Sequence, residues 1–290
     1  MGPSRMTIRS RSRRSIPSAE FLRCAITTYS CILSAQMTDL AKRLCDQIRK
    51  QGKNRGLLIA FEGPDGSGKT TQRKLFKDWL IGEGYDVTTT KWNSSKLIKP
   101  IIKTRKNARS INQEEFCLLH AADFRHRLEN EVIPALVQGK MVVADRFLFT
   151  ALARDAARGL ELDWLFHIYS PLYWPDIVFY FSVSPETSGK RIAATRSPKY
   201  YEAGQDVTRI DDPFQSYHQF ISRVIQEYEA LAVIFKFIKI DAEAPIYDQH
   251  ITLRRLFQKS RERPWPEWNE EALCDWARTA PQACEVVLGH

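Results

Sequence analysis

The chain has 290 residues, 43% of them hydrophobic, with a formal net charge of +9; this suits one generous domain with extensions and a sizeable core. Residues 1–36 hold six arginines against one acid, so the remainder is only mildly basic and a nucleic-acid partner is not indicated. No apolar run nears the ~18 residues that cross a bilayer, and the six scattered cysteines form no C-x-x-C pair, which argues against zinc and for a reducing compartment.

Residues 1–36 read as a disordered extension, or as sequence upstream of a start at Met37; the alternatives are an Arg-rich organelle transit peptide and a poor secretory signal. Residues 37–55 read as an N-terminal helix and linker, with Thr38 as cap and an end near Gly52. Gly56–Phe61 is a short apolar run suited to a buried strand. It leads into Gly63-Pro64-Asp65-Gly66-Ser67-Gly68-Lys69-Thr70, which fits the phosphate-loop pattern G-x-x-x-x-G-K-[ST] without mismatch. The glycines let successive N–H groups face phosphate oxygens, Lys69 reaches the terminal phosphates, and the Thr70 hydroxyl is placed for Mg²⁺. Thr71–Leu80 has a helical apolar period, and a helix N-terminus behind the loop favours an anion.

Gly82 and Gly84 stop that helix, and Tyr85–Thr90 reads as a second strand, seeding a parallel sheet. Leu97–Arg109 is a basic helix interrupted by Pro100, either a solvated face or a substrate-side basic surface. Glu114–Gln138 is a long helical pattern bent at Pro134. Met141–Ala144 is an apolar strand ending in Asp145-Arg146-Phe147. A strand-end acid coupled to a phosphate loop suits a Mg²⁺ ligand, and Arg146 suits a phosphate. Phe149–Arg158 is a helix carrying Arg154, Asp155 and Arg158; Asp176–Val183 is a strand; Ser184-Pro185 opens a helix carrying Arg191 and Arg196. The polar Ser197–Asp212 segment suits a lid that excludes water. Phe214–Leu231 reads as a helix, Val233–Ile240 as the last strand, and residues 246–290 as one more helix and a Trp/Pro-containing tail.

Several of these segments, in this order, resemble the thymidylate kinase family. The likeness rests on Phe61–Gln72, on Leu118-Leu119-His120-Ala121-Ala122-Asp123, and on Val142–Phe147. It continues through Pro175-Asp176, Pro185-Glu186, Arg191 and the pair Tyr201-Glu202, covering residues 56–245. The resemblance implies a three-layer α/β/α fold of the P-loop NTPase type, with about five parallel strands and a helical or loop lid. It implies transfer of the ATP γ-phosphoryl group to dTMP by a cytoplasmic homodimer, with ATP and Mg²⁺ as cofactors.

Carried over residue by residue, Gly63 to Thr71 hold ATP, and Thr70 with Asp145 holds Mg²⁺. Asp65 faces the acceptor sugar and Arg146 grips the acceptor phosphate. Because Gly66 rather than a basic residue follows Asp65, the catalytic cations are Lys69, Arg146 and the lid arginines Arg191 and Arg196, with Lys199 beside them. Three departures fall on the acceptor side. Lys91-Trp92-Asn93-Ser94-Ser95 replaces an Arg-Glu-Pro motif, Phe124 then Arg125 replaces the thymine-contacting arginine, and Arg154-Asp155 replaces a Tyr-Gln pair. The expected acceptor pocket is therefore Asp65, Phe124, Arg125, Arg146, Arg154, Asp155 and Glu202. Two other readings stay open: a phosphotransferase with another nucleotide or phosphate acceptor, and a nucleotide-binding regulatory module without acceptor chemistry.

Overall fold

The computed structural model describes residues 55–169 and 174–262. The expectations for residues 1–36, for most of 37–55 and for the tail after residue 262 lie outside the described residues. A five-stranded sheet runs through the structure in the order β2-β3-β1-β4-β5, with every pair parallel. Its strands are β1 (Leu58–Glu62), β2 (Val87–Lys91), β3 (Met141–Asp145), β4 (Ile177–Ser182) and β5 (Ile238–Asp241). The central strands β1 and β3 are buried from end to end, as expected of parallel strands covered on both faces. The edge strand β2, rich in threonine, stays partly exposed.

Side chains alternate across the sheet and build two cores. Ile59 and Phe61 pack with Phe76 and Leu80 of α1 (Lys69–Gly82) and with Leu253 and Phe257 of α11 (Ile246–Glu262). Leu58 and Ala60 face the other layer. That layer contains α3 (Gln113–Arg127), α4 (Ile133–Val137), α5 (Leu148–Ala157), α6 (Leu162–Tyr169) and α10 (Pro213–Ile234). The remaining helices are α2 (Lys99–Asn107), α7 (Pro185–Ala193) and two single turns in the lid segment, α8 (Tyr200–Ala203) and α9 (Gln205–Thr208). This is the three-layer α/β/α arrangement expected from the sequence. Among the described residues no helix is long and apolar enough to cross a membrane.

Three local expectations need correction. Pro100 does not interrupt a helix but stands in the first turn of α2, where its missing N–H costs nothing. The long helix changes pitch before Pro134 rather than at it: residues 113–137 are helical throughout, with α3 running to Arg127, a π-helical turn over Leu128–Val132, and Pro134 in the first turn of α4. A proline cannot complete an i→i−4 ladder, so the chain changes its pitch just before it. The apolar run from Val233 is not strand throughout. Helix α10 continues to Ile234, Lys236 turns the chain with φ 50°, and β5 begins only at Ile238.

Register positions the site. Phe61 pairs with Asp145 and Ile59 with Ile177. The carboxyl ends of β1 and β3 therefore lie side by side at the point where the chain order reverses, which is where open α/β sheets bind ligands.

Candidate active site

The loop after β1 is built so that its carbonyls are held from outside. Gly66 has φ 73°, and a Cβ there would stand 2.7 Å from the Ser188 carbonyl oxygen. Only glycine fits both the backbone and the close approach of α7. The Ser188 hydroxyl donates to the Asp65 carbonyl at 2.6 Å, Tyr217 Oη donates to it at 3.2 Å, and Arg191 Nη1 donates to the Gly66 carbonyl at 3.2 Å. Inside the loop, Lys69 Nζ donates to the Pro64 carbonyl at 2.9 Å. Burial first, then Arg146, lowers the Lys69 pKa to about 7, against the pull of Asp65, Asp145 and Glu62. The Ser67 hydroxyl is buried and has no partner among the described residues. An under-compensated ammonium and an orphaned hydroxyl in a glycine cradle at the start of α1 fit a polyphosphate.

Thr70 Oγ1 donates to Asp145 Oδ2 at 3.2 Å, so the loop hydroxyl and the strand-end carboxylate converge across the β1–β3 pair. One hydroxyl and one carboxylate suit Mg²⁺, which takes its other ligands from phosphates and water. Arg73 Nε stands 3.4 Å from the same Asp145 oxygen. It was not anticipated, although it lies one helical turn after Thr70.

Asp65 joins this loop to the other side of the cleft. Its carboxylate accepts from Arg146 Nη2 at 2.6 Å and from Arg154 Nη1 at 2.8 Å. Burial opposes its ionisation, yet Arg146, Arg154 and Lys69 together hold the carboxyl well below the usual range. Arg146 also donates to the Gly63 carbonyl at 2.9 Å. Its backbone is left-handed, with φ 68°, while its N–H still bonds Phe61 O. This turn aims the guanidinium back over the loop.

One turn along α5 from Arg154, Arg158 ties the helix to the lid segment. Its Nε donates to Asp206 Oδ2 at 2.9 Å and its Nη2 to the Tyr201 carbonyl at 2.7 Å. Tyr201 stacks on Phe116 of α3, ring centres 5.4 Å apart. Arg196, about half exposed, holds both oxygens of Glu202 at 2.7 and 2.8 Å.

Beneath the loop, the Glu62 carboxylate is fully buried and accepts from the Phe147 N–H at 2.8 Å, Thr150 Oγ1 at 2.6 Å and Tyr228 Oη at 3.0 Å. Burial raises its pKa, against these bonds and Arg146. Beside the cleft, Asp123 and Arg127 form a buried ion pair at 2.8 Å, with both side chains 0% exposed. Asp123 also accepts the N–H groups of Asn93 at 3.1 Å and Ser95 at 2.8 Å, and Arg127 Nη1 donates to Thr90 at 3.1 Å. The pair thus fixes the segment after β2 that departs from Arg-Glu-Pro. The spacing of four on a helix was visible in the sequence; the partners were not.

Gly63 to Thr71, Asp145, Arg146, Arg154 and Arg191 come together around the loop. Phe124, Arg125 and Asp155 do not. Phe124 is 1% exposed and packs edge-on against Phe147 at 5.0 Å. Arg125 pairs with Glu129 of the π-helical turn that follows α3. Asp155 is 2% exposed and accepts from Tyr169 Oη at 3.3 Å. One residue is about 100° of helix, so Asp155 points into the core where Arg154 points to the cleft. Burial first raises its pKa to about 6, against Arg158 and Arg154.

Comparison with known proteins gives the same picture. A family model described as thymidylate kinase matches residues 61–250. A "Probable thymidylate kinase 2" of Saccharolobus solfataricus is 41% identical over 204 residues, 70% of this chain and 95% of that protein. The "Thymidylate kinase" of Bacillus pumilus is 32% identical over 215 residues, again 70% of this chain and 95% of that protein. With its phosphate loop, parallel sheet and Asp-Arg strand end inside the matched region, the chain belongs to the thymidylate kinase family.

Proposed function

We propose that this protein transfers the γ-phosphoryl group of ATP to dTMP, giving ADP and dTDP. The observation that carries this reading is the Asp65 bridge. A phosphate-loop residue is bonded at once to Arg146 and Arg154 of the acceptor side, with Lys69 alongside. Two phosphate-binding regions thereby meet at one point, as in-line transfer requires.

No protein nucleophile is needed. An oxygen of the acceptor phosphate forms the new bond to phosphorus as the bond to the bridging oxygen of ADP breaks. Catalysis then rests on positioning and charge. The loop N–H groups, Ser67 and Lys69 hold the donor phosphates, and Arg146 holds the acceptor phosphate. Thr70 and Asp145 hold Mg²⁺, which when bound neutralises phosphate charge. Arg191 and Arg196 complete the lid, with Arg196 released from Glu202 to reach the transferring group. Asp65, with Arg154, orients the acceptor sugar. A homodimer is the assembly proposed with this activity, and its mass in solution is the measurement that checks it.

ADP formation with ATP, Mg²⁺ and a panel of nucleoside monophosphates tests the reading, with Lys69→Ala as control. Preferred turnover of dTMP is expected. Turnover of dTMP no better than of UMP, CMP or AMP would overturn it.

A further inference from the structure

The α3 arginines are committed elsewhere: Arg125 faces Glu129 and Arg127 faces Asp123. A different cation stands beside the cleft. Lys106, half-buried near the end of α2, places its Nζ over the face of Phe116, 4.4 Å from the ring centre. Arg158 covers the same ring at 4.8 Å. Asp206 is taken by Arg158, Glu115 by Arg105, and both oxygens of Asp65 by Arg146 and Arg154. Lys106 forms no ion pair among the described residues, and an aromatic face is the partner left to it.

Its place along the cleft gives that vacancy a meaning. Arg154 touches Asp65 at the phosphate end, and Arg158 lies one helical turn, about 5.4 Å, further on. Phe116, His120 and Lys106 gather at that far end, with Tyr201 of the lid stacked on Phe116. A nucleotide whose phosphate met Arg146 and Arg154 would extend its base toward this end. An ammonium has three donors and no acceptor, so it can bond a ring carbonyl but not an exocyclic amine.

We infer that Lys106 reads the 4-carbonyl of the acceptor base, so that thymine and uracil are accepted and cytosine, with an amine at that position, is rejected. The inference rests on the nucleoside monophosphate kinase reading above. Lys106 thereby supplies, from a different helix, the base-reading charge that Phe124 cannot. A site with a committed polar group discriminates strongly because the wrong base leaves that group unpaired.

The test is kcat/KM for dTMP, dUMP and dCMP in the wild type, Lys106→Met and Lys106→Arg, each checked for an unchanged melting profile. The wild type should prefer dTMP and dUMP to dCMP by about a hundredfold or more. Lys106→Met should lose at least about tenfold of that preference, mainly through KM for dTMP, and Lys106→Arg should restore part of it. A pH series adds a readout that packing alone would not move. Burial first, then Arg158 and Arg154, lowers the Lys106 pKa to about 8, while Asp155 and Asp206 oppose them and His120 faces the same space. In the wild type KM for dTMP should rise above about pH 8, and in Lys106→Met it should stay flat. An equal loss with all three nucleotides would make Lys106 a phosphate ligand and overturn the inference, as would an unchanged base preference. A wild type inactive with dTMP would instead overturn the activity on which the inference stands.

Discussion

On the phosphate-loop side of the cleft the groups proposed to hold the donor come from consecutive residues, Gly63 to Thr71, and the fold holds them by their own carbonyls. On the side proposed for the acceptor they come from the end of β3, α3, α5 and the lid segment, and ion pairs and hydrogen bonds hold them over long sequence separations. Arg146 and Arg154 reach Asp65 from 81 and 89 positions away, and Arg158 reaches Tyr201 and Asp206 across 43 and 48. A site made of backbone tolerates little change in sequence. A site made of side chains on several helices can be rebuilt one helix at a time.

That contrast can be broken or sharpened by substitution. The largest effect is expected from Lys69→Ala, which should lower kcat by about a thousandfold or more by removing a charge aimed at the transferring phosphate. A loss below tenfold would mean the loop amides suffice. Arg146→Ala should lower kcat/KM for the acceptor about a hundredfold while leaving KM for ATP within about threefold; a larger change in KM for ATP would show that the two sides are not separable. Arg127→Met leaves Asp123 buried and unpaired, and should cost about 3 kcal/mol in urea unfolding. The surviving enzyme should bind the acceptor less well and ATP equally well, because Asp123 anchors the segment around Asn93 and Ser95. Arg196→Ala should lower kcat about tenfold with little change in KM for ATP, the outcome expected if this half-exposed arginine acts on closure as proposed.

The smallest effect concerns pH. The folded-state pKa of Asp155 is raised to about 6 from 3.8, chiefly by burial. Between those values the native state holds the proton more tightly than the unfolded state, so this residue contributes stability that fades as pH rises through about 6. Asp155→Asn should therefore gain stability relative to the wild type between pH 4 and pH 7 in urea unfolding. A constant difference across that range would mean Asp155 is ionised throughout.

How much of this was legible follows the same division. The phosphate loop announces itself because its glycines and Lys69 must fall at fixed spacing in one short stretch. Asp145 was legible because an apolar strand ending in an acid has few other uses beside such a loop, and the register of Phe61 with Asp145 places it there. Arg125 and Arg127 lie two positions apart on one helix, and nothing local says which turns inward. Burial of Asp123 decides it, through partners about 30 positions upstream. The burial of Phe124 and Asp155 was not legible for the same reason, since a helix turns neighbouring residues to different surroundings. Val233 and Ile234 favour a strand by composition, yet they complete a helix that packs Tyr228 and Leu231 into the core.

The buried Glu62 carries a consequence for recombination between relatives. It ends β1, one residue before the loop, and binds the start of α5 through Phe147 and Thr150 and the middle of α10 through Tyr228. A chimera that joined the donor loop of one parent to the α5–α10 half of another would inherit a carboxylate from one and its hydroxyl partners from the other. Crossover points that keep Glu62, Thr150 and Tyr228 from a single parent should yield folded chimeras. Junctions between them should fail wherever the parents differ at these positions, however similar the two loops are.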